Sequence, residues 1–228
     1  MATKPILSVT KAEQVRQAIL EMIFAGDLTA GQRIVEMRLA AELNVSQATV
    51  NAALQDLHNQ GVVTKLLNRS TTVNRYTQRE IDNLFQVRMA LEPAAAAAAS
   101  MKLTSEGVAS LLAHVNEMRA AARIGSLPAF CVADYSFHQE LYRLSENSFL
   151  IQACQAISAG PFAYILCGGP SALPVDYAAL AEDHAEVVLA LENGPEAAEQ
   201  ITLDQVGKWK THSARALAAI VETETAHA

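Results

Sequence analysis

From Glu80 to about residue 223 the chain keeps one rhythm, with apolar residues returning every three to four positions and no alternating or β-branched run to mark a strand. A stretch of that length and period folds as helices laid against one another. Ile81, Leu84, Phe85, Val87, Arg88, Leu91 and Glu92 set the first, which continues through the alanines of 94–99 to Met101 and Leu103. Further helices are expected at roughly 104–124, 128–146, 147–166, 175–193 and 195–223, broken at Gly125, Asn147, Gly168-Gly169-Pro170 and Gly194-Pro195. Alanine dominates the apolar residues and aromatics are only 5%, which suits helices packed through small side chains. Six such helices make a bundle, and bundles build polar sites between facing helices.

The first third obeys different rules. Val15, Ala18, Ile19, Met22 and Ile23 stripe a helix that Gly26-Asp27 ends, and residues 26–31 form a turn. Glu36 to Leu43 is a short helix, Ser46 is a helix N-cap, and Val50, Ala53, Leu54 and Leu57 stripe a third helix that stops before Gly61. Two β-branched runs, Val62 to Leu67 and Ser70 to Val73, flank Asn68-Arg69 and read as a hairpin. Three helices and a wing make a winged helix-turn-helix, whose third helix enters the DNA major groove by its N-terminal end. That end carries Ser46, Gln47, Ala48, Thr49 and Asn51. Gln47 and Asn51 have the amide geometry to read adenine, and Ser46 and Thr49 suit phosphate. Arg38, Lys65 and Arg69 are the candidate phosphate contacts. The alternative is that these polar residues are only the solvated face of two short helices.

The expected fold class is therefore all-α dominated: an N-terminal winged helix-turn-helix with a small β-hairpin wing, and a C-terminal antiparallel helical bundle. Residues 74–79 are polar and aperiodic and form the link, which divides the chain into 1–76 and 77–228. Charge divides with it. The first part holds 8 Lys and Arg against 6 Asp and Glu, net +2, and the second 9 against 18, net −9. An acidic body repels nucleic acid, so a double-stranded DNA operator must be met by the mildly basic head, and a homodimer would raise the affinity. No apolar run is long enough to span a membrane and no apolar signal segment is present, so a cytoplasmic protein without membrane partner is expected. Cys131, Cys154 and Cys167 lie far apart and read as reduced, half-buried packing residues. His58, His114 and His227 read as satisfied core histidines.

Within the bundle, Asp134 and His138 are one helical turn apart, so the carboxylate and the imidazole project from one face and can hold one small charged object. His184 follows in an E-D-H run on a later helix. Three readings stand side by side: a metal site, a metal-free polar pocket, and a purely structural cluster.

The run from Ala18 to Val63 resembles the N-terminal domain of the GntR family of bacterial regulators. Around the third helix the family pattern is S-R-T-P-V-R-E-A-L, where this chain has Ser46-Gln47-Ala48-Thr49-Val50-Asn51-Ala52-Ala53-Leu54. Both arginines are replaced, and the wing-tip R-x-G becomes Asn68-Arg69-Ser70. The resemblance implies DNA binding, and these departures imply an altered operator, read through Gln47 and Asn51. The segments V-R-M-A-L-E-P-A-A-A, D-Y-S-F-H-Q-E-L-Y-R-L-S-E-N and E-D-H-A-E-V-V-L-A-L-E-N-G resemble the FCD ligand-binding domain of the FadR subfamily, from Val87 to about Ala219.

That second resemblance implies a divalent transition metal, zinc, nickel or manganese, held by one Asp and three His. Asp134, His138 and His184 match the first three ligands, and the fourth falls near Gln205, with His212 two turns further along. It also implies a small carboxylate effector beside the metal. Arg88 is the candidate partner for that carboxylate, with an Arg88 to Glu92 pair on a solvated helix face as the alternative. Tyr135, Tyr142, Tyr164 and Asn147 are candidates to line the pocket.

The function these readings converge on is a ligand-responsive transcription regulator, not an enzyme, that represses until its effector binds. Two alternatives remain. A metal with an open position could activate water as hydrolases do, and a regulator without the two arginines could have lost specific operator binding.

Overall fold

The computed structural model describes residues 10–65, 70–167 and 176–226. Arg69, His227 and the Gly168-Gly169-Pro170 break lie outside the described residues, as do the side chains of Tyr164, Cys167 and His212. Helix α1 spans Lys11–Ala25, α2 Glu36–Glu42 and α3 Gln47–Asn59. The N-cap of α1 is Thr10, whose hydroxyl accepts from Glu13 N at 3.1 Å, and Gly26 ends it at φ 82°, where a side chain would strain the backbone. Ser46 caps α3, accepting from Thr49 N at 3.1 Å. Val15, Ile19 and Ile23 from α1 meet Val50, Leu54 and Leu57 from α3 in one apolar core.

The wing is a three-stranded sheet, where a hairpin was expected. Strands β2 (Val63–Lys65) and β3 (Thr71–Val73) pair antiparallel, and β1 (Arg33–Ile34) adds to the other edge of β3, giving the order β1-β3-β2. The link is not slack. Asn74 Nδ2 donates to Gly61 O at 2.5 Å, Arg75 Nε donates to Ala30 O at 3.2 Å, and the Tyr76 hydroxyl donates to Gly61 O. His58 is exposed, its Nδ1 3.0 Å from Val63 O, and His114 pairs with Glu117 at the surface, so neither is the core residue the sequence suggested.

The second part holds α4 (Gln78–Ser100), α5 (Ser105–Ile124), α6 (Leu127–Leu144), α7 (Ser148–Cys167), α8 (Tyr177–Glu192) and α9 (Pro195–Ala226). A capping box between Thr77 and Glu80 starts α4. Phe130, Ala133, Phe137 and Leu141 of α6 pack against Leu111, Val115 and Met118 of α5 and Val187 and Val188 of α8. Cys131 and Cys154 are in no disulfide and are fully buried, where half-burial was expected. Among the described residues no helix is long and apolar enough to cross a membrane.

Helix α6 belongs to both parts. Its Cys131 and Tyr135 lie in the same apolar cluster as Val15, Ile19 and Leu54 of the first part, while Phe137 and Leu141 sit in the bundle core. A third face of the same helix turns Asp134 and His138 inward.

Candidate metal centre and nucleic-acid face

Asp134 is 1% exposed and His184 3%, yet both are polar. Burial of such groups is tolerated only where each finds a partner. His184 Nε2 lies 3.1 Å from Asp134 Oδ1, and His138 Nε2 lies 3.7 Å from Asp134 Oδ2. His184 Nδ1 donates to Leu180 O at 2.8 Å, which fixes the tautomer and leaves Nε2 facing the carboxylate. Phe137 packs edge-on against the His184 ring at 4.9 Å and holds it in place.

One ligand atom from each of Asp134, His138 and His184 lies within 4.8 Å of the others. Asp134 Oδ2 is buried and accepts no hydrogen bond. An orphan carboxylate oxygen beside two imidazoles is an arrangement that a divalent cation completes, and two nitrogens with one oxygen suit zinc, nickel or manganese. Burial pushes both imidazoliums down. At His184 the Asp134 carboxylate and the Leu180 carbonyl outweigh burial and the ring titrates above its ordinary value, whereas at His138 burial prevails and the ring titrates below it.

Next to this cluster lies a second buried charge pair. Arg88 Nε and Nη2 donate to Glu92 Oε1 and Oε2 at 2.5 and 3.2 Å, and the guanidinium sits 5.1 Å above the Phe85 ring. Glu92 is 1% exposed, so the pair forms in the interior and not on the solvated face. Burial pushes the Glu92 carboxyl up, and Arg88, helped by His138, more than reverses this and holds it below the usual carboxylate range. Burial and Glu92 together raise the Tyr142 hydroxyl and push the Cys154 thiol up to about 12.

The remaining expected pocket residues separate. Tyr135 is turned to α1, where Arg16 Nη1 donates to its hydroxyl at 3.5 Å. Asn147 Oδ1 accepts from Phe149 N and Leu150 N at 3.1 and 3.3 Å, the work of a helix cap. Gln205 Nε2 donates to the carbonyl of Asp183, the residue before His184, and so braces that turn of α8. Glu92 was legible as a partner by its spacing, but its burial beside the cluster was not.

At the head, Gln47 and Ala48 are exposed at the start of α3, and Arg38 is exposed on α2. Ser46 Oγ and Thr49 Oγ1 are 2.8 Å apart, each committed to the cap. Asn51 Nδ2 donates to the Glu36 carboxylate at 3.3 Å, and Lys65 Nζ lies 3.8 Å from Glu36 and 3.5 Å from Asn51 O. Glu36, an anion on a face expected to meet phosphate, escaped the sequence reading. Its position in the first turn of α2 was the signal.

Comparison with known proteins adds to this geometry. The profile of bacterial regulatory proteins of the gntR family matches residues 11–73, and that of the FCD domain matches residues 83–206. A protein of Paenarthrobacter nicotinovorans named probable D-xylose utilization operon transcriptional repressor is 30% identical over 208 residues, covering 91% of this chain and 90% of its own. Among solved structures, Escherichia coli McbR/YncC superposes with a TM-score of 0.71 at 20% identity, covering 90% of this chain and 98% of its own. A Rhodococcus sp. RHA1 protein described as a GntR transcriptional regulator gives 0.67 at 19%, covering 89% and 97%. At these identities the superpositions speak for the fold alone.

Proposed function

Because this chain belongs to the GntR family of bacterial regulatory proteins and carries an FCD domain, we propose that it is a repressor whose hold on DNA is released by a small carboxylate bound beside a metal. Residues 1–76 form the DNA-binding domain and 77–228 the effector domain. In this reading Asp134, His138 and His184 hold the ion, which supplies a positive centre for an anionic effector. Gln205 positions His184 through the Asp183 carbonyl. Arg88, already matched by Glu92, orders the pocket wall through that pair. Gln47 reads bases, Arg38, Lys65 and Arg69 meet phosphates, and Ser46 and Thr49 fix the reading helix. Asn51 joins once its amide exchanges the Glu36 carboxylate for a base edge.

The observation that carries the proposal is that α6 serves both ends: Asp134 on one face, and on another Tyr135, hydrogen-bonded to Arg16 of α1. A rotation of α6 on ligand binding therefore moves α1 and the reading helix packed on it. In a homodimer, small changes in head placement become changes in half-site spacing and hence in affinity. A coupling of roughly 1–3 kcal/mol corresponds to about 5–150-fold. The hydrolase alternative has less behind it, since the relatives are named as regulators.

The test is fluorescence anisotropy of the full chain on DNA from upstream of its own gene, across a salt series, with unrelated DNA as control and with zinc, nickel or manganese added or chelated. Tight, sequence-dependent binding weakened by Gln47→Ala supports the reading. Equal, weak binding to both DNAs at every salt favours a regulator that no longer reads an operator.

A further inference from the structure

A cleft of about 890 Å³ opens between α1 and the corner where α5 turns into α6. Its walls are small and apolar, with Ala18 and Met22 from α1 facing Ala121, Ala129, Val132 and Ala133. Ala121 and Ala133 are each only 3% exposed and form the floor, while Ile124 at the lip is 78% exposed. A space of this size accommodates one small organic molecule.

The charge around it has one sign. Glu21, Asp27 and Glu117 stand at the rim, and no described residue lining the cleft is basic. Of the two arginines of α5 that flank lining residues, Arg119 is paired with Glu182 at 2.6 Å and Arg123 stands exposed in the last turn beside Ile124; Glu117 meets His114 at 3.1 Å. Ala25 and Ile124 are the last residues of α1 and α5, so two helix C-termini with their partial negative charge also open here. The last turn of α1 has no basic residue to offset it, whereas that of α5 carries Arg123, so the uncompensated end is that of α1. The opposing N-terminus of α6 is satisfied by its own cap, Ser126 Oγ accepting from Ala129 N at 3.4 Å.

We propose that this cleft is a second ligand site, separate from the metal centre, that takes an apolar organic cation: an ammonium head among the rim carboxylates and a hydrocarbon or aryl body on the alanine floor. The chemistry is opposite to that of the metal centre, which attracts anions, so the two sites do not compete for one ligand. The occupant touches α1 of the head and α5 and α6 of the body together. It therefore acts on the seam whether or not the metal reading holds.

The experiment titrates the full chain with benzyltrimethylammonium by calorimetry and by NMR shift mapping, using benzyl alcohol and phenylacetate as neutral and anionic controls. Saturable binding of the cation is expected, weaker at high salt, with the neutral control weaker and the anion silent. The double variant Glu21→Gln/Glu117→Gln should weaken the cation roughly three- to tenfold, as two exposed carboxylates allow, and leave benzyl alcohol unchanged. Ala129→Phe, at an exposed wall position, should block both. No saturable binding at about 1 mM, equal binding of cation and neutral control, or binding unaltered by Ala129→Phe in a protein of unchanged circular dichroism would each overturn the proposal. So would a dimer that Ala129→Phe dissociates, which would make the cleft an interface between copies.

Discussion

Replacing Glu92 by Gln isolates one of the strongest electrostatic contacts in the bundle. The guanidinium of Arg88 does not give up its proton, so the substitution leaves a charge that is 9% exposed beside a neutral amide. Breaking a buried ion pair on one side costs roughly 3–5 kcal/mol. The oxygen of the introduced amide can still accept one of the two hydrogen bonds, 2.5 and 3.2 Å in the native chain, which sets the expectation at the lower end, about 3 kcal/mol. In a chain of this size that is about 6–12 °C in Tm. Replacing both partners, Arg88→Met with Glu92→Leu, removes the uncompensated charge and should return most of the loss. The pH dependence has a definite sign. The folded Glu92 pKa lies below its unfolded value, so its contribution is complete above the unfolded carboxylate pKa, about 4.3, and is lost as pH falls through the folded value. Urea titrations of native and Glu92→Gln protein from pH 7 to pH 3 should show a constant gap that closes only at the acid end. A gap under about 1 kcal/mol at pH 7, or a double variant as unstable as the single one, would refute the reasoning.

Four further outcomes are expected. Asp134→Ala should lower bound metal, measured by plasma mass spectrometry, from about one equivalent to near none. Metal at about 100 times its Kd should add roughly 2.7 kcal/mol to the stability of the native chain and nothing to the variant. Gln47→Ala should cost about 1–3 kcal/mol on the preferred DNA and little on unrelated DNA, whereas Glu36→Gln should tighten both, read by anisotropy at two salt concentrations. Tyr135→Phe should leave operator and metal affinities nearly unchanged while shrinking the effect of one on the other, measured by titrating DNA with metal present and absent. Asn147→Ala should cost about 1 kcal/mol by loss of the α7 cap without altering effector binding, seen by denaturation and calorimetry on the same samples.

The long helices were legible because each repeats its apolar stripe over several turns, so a displaced boundary does little harm. Strand β1 was not, since Arg33–Ile34 is too short to show any period and forms only because β3 offers a free edge. The Asp134–His138 spacing placed both groups on one face, and the structure brings His184 to them. Tyr135, a candidate to line the pocket, follows Asp134 directly, yet one residue along a helix is a rotation of about 100°, enough to aim it at Arg16 instead. Arg88 and Glu92 could be paired by spacing alone. Whether that pair faced water depended on which helices covered it, and nothing local to α4 records that.

Consider the eight consecutive residues of α6 from Cys131 to His138. Cys131 and Tyr135 fill the core shared with the head, Val132 and Ala133 wall the cleft, and Phe137 fills the bundle. Asp134 and His138 belong to the candidate metal site, and the Ser136 hydroxyl is tied to Val132 O at 2.9 Å. Apart from Ser136, whose hydroxyl is bonded within α6, no position in that run is free to drift without being felt by a neighbouring element. A lineage adapting this scaffold to a new effector would find its easiest changes elsewhere, on helices with a solvent side, because any alteration to this one is read by the DNA-binding end as well.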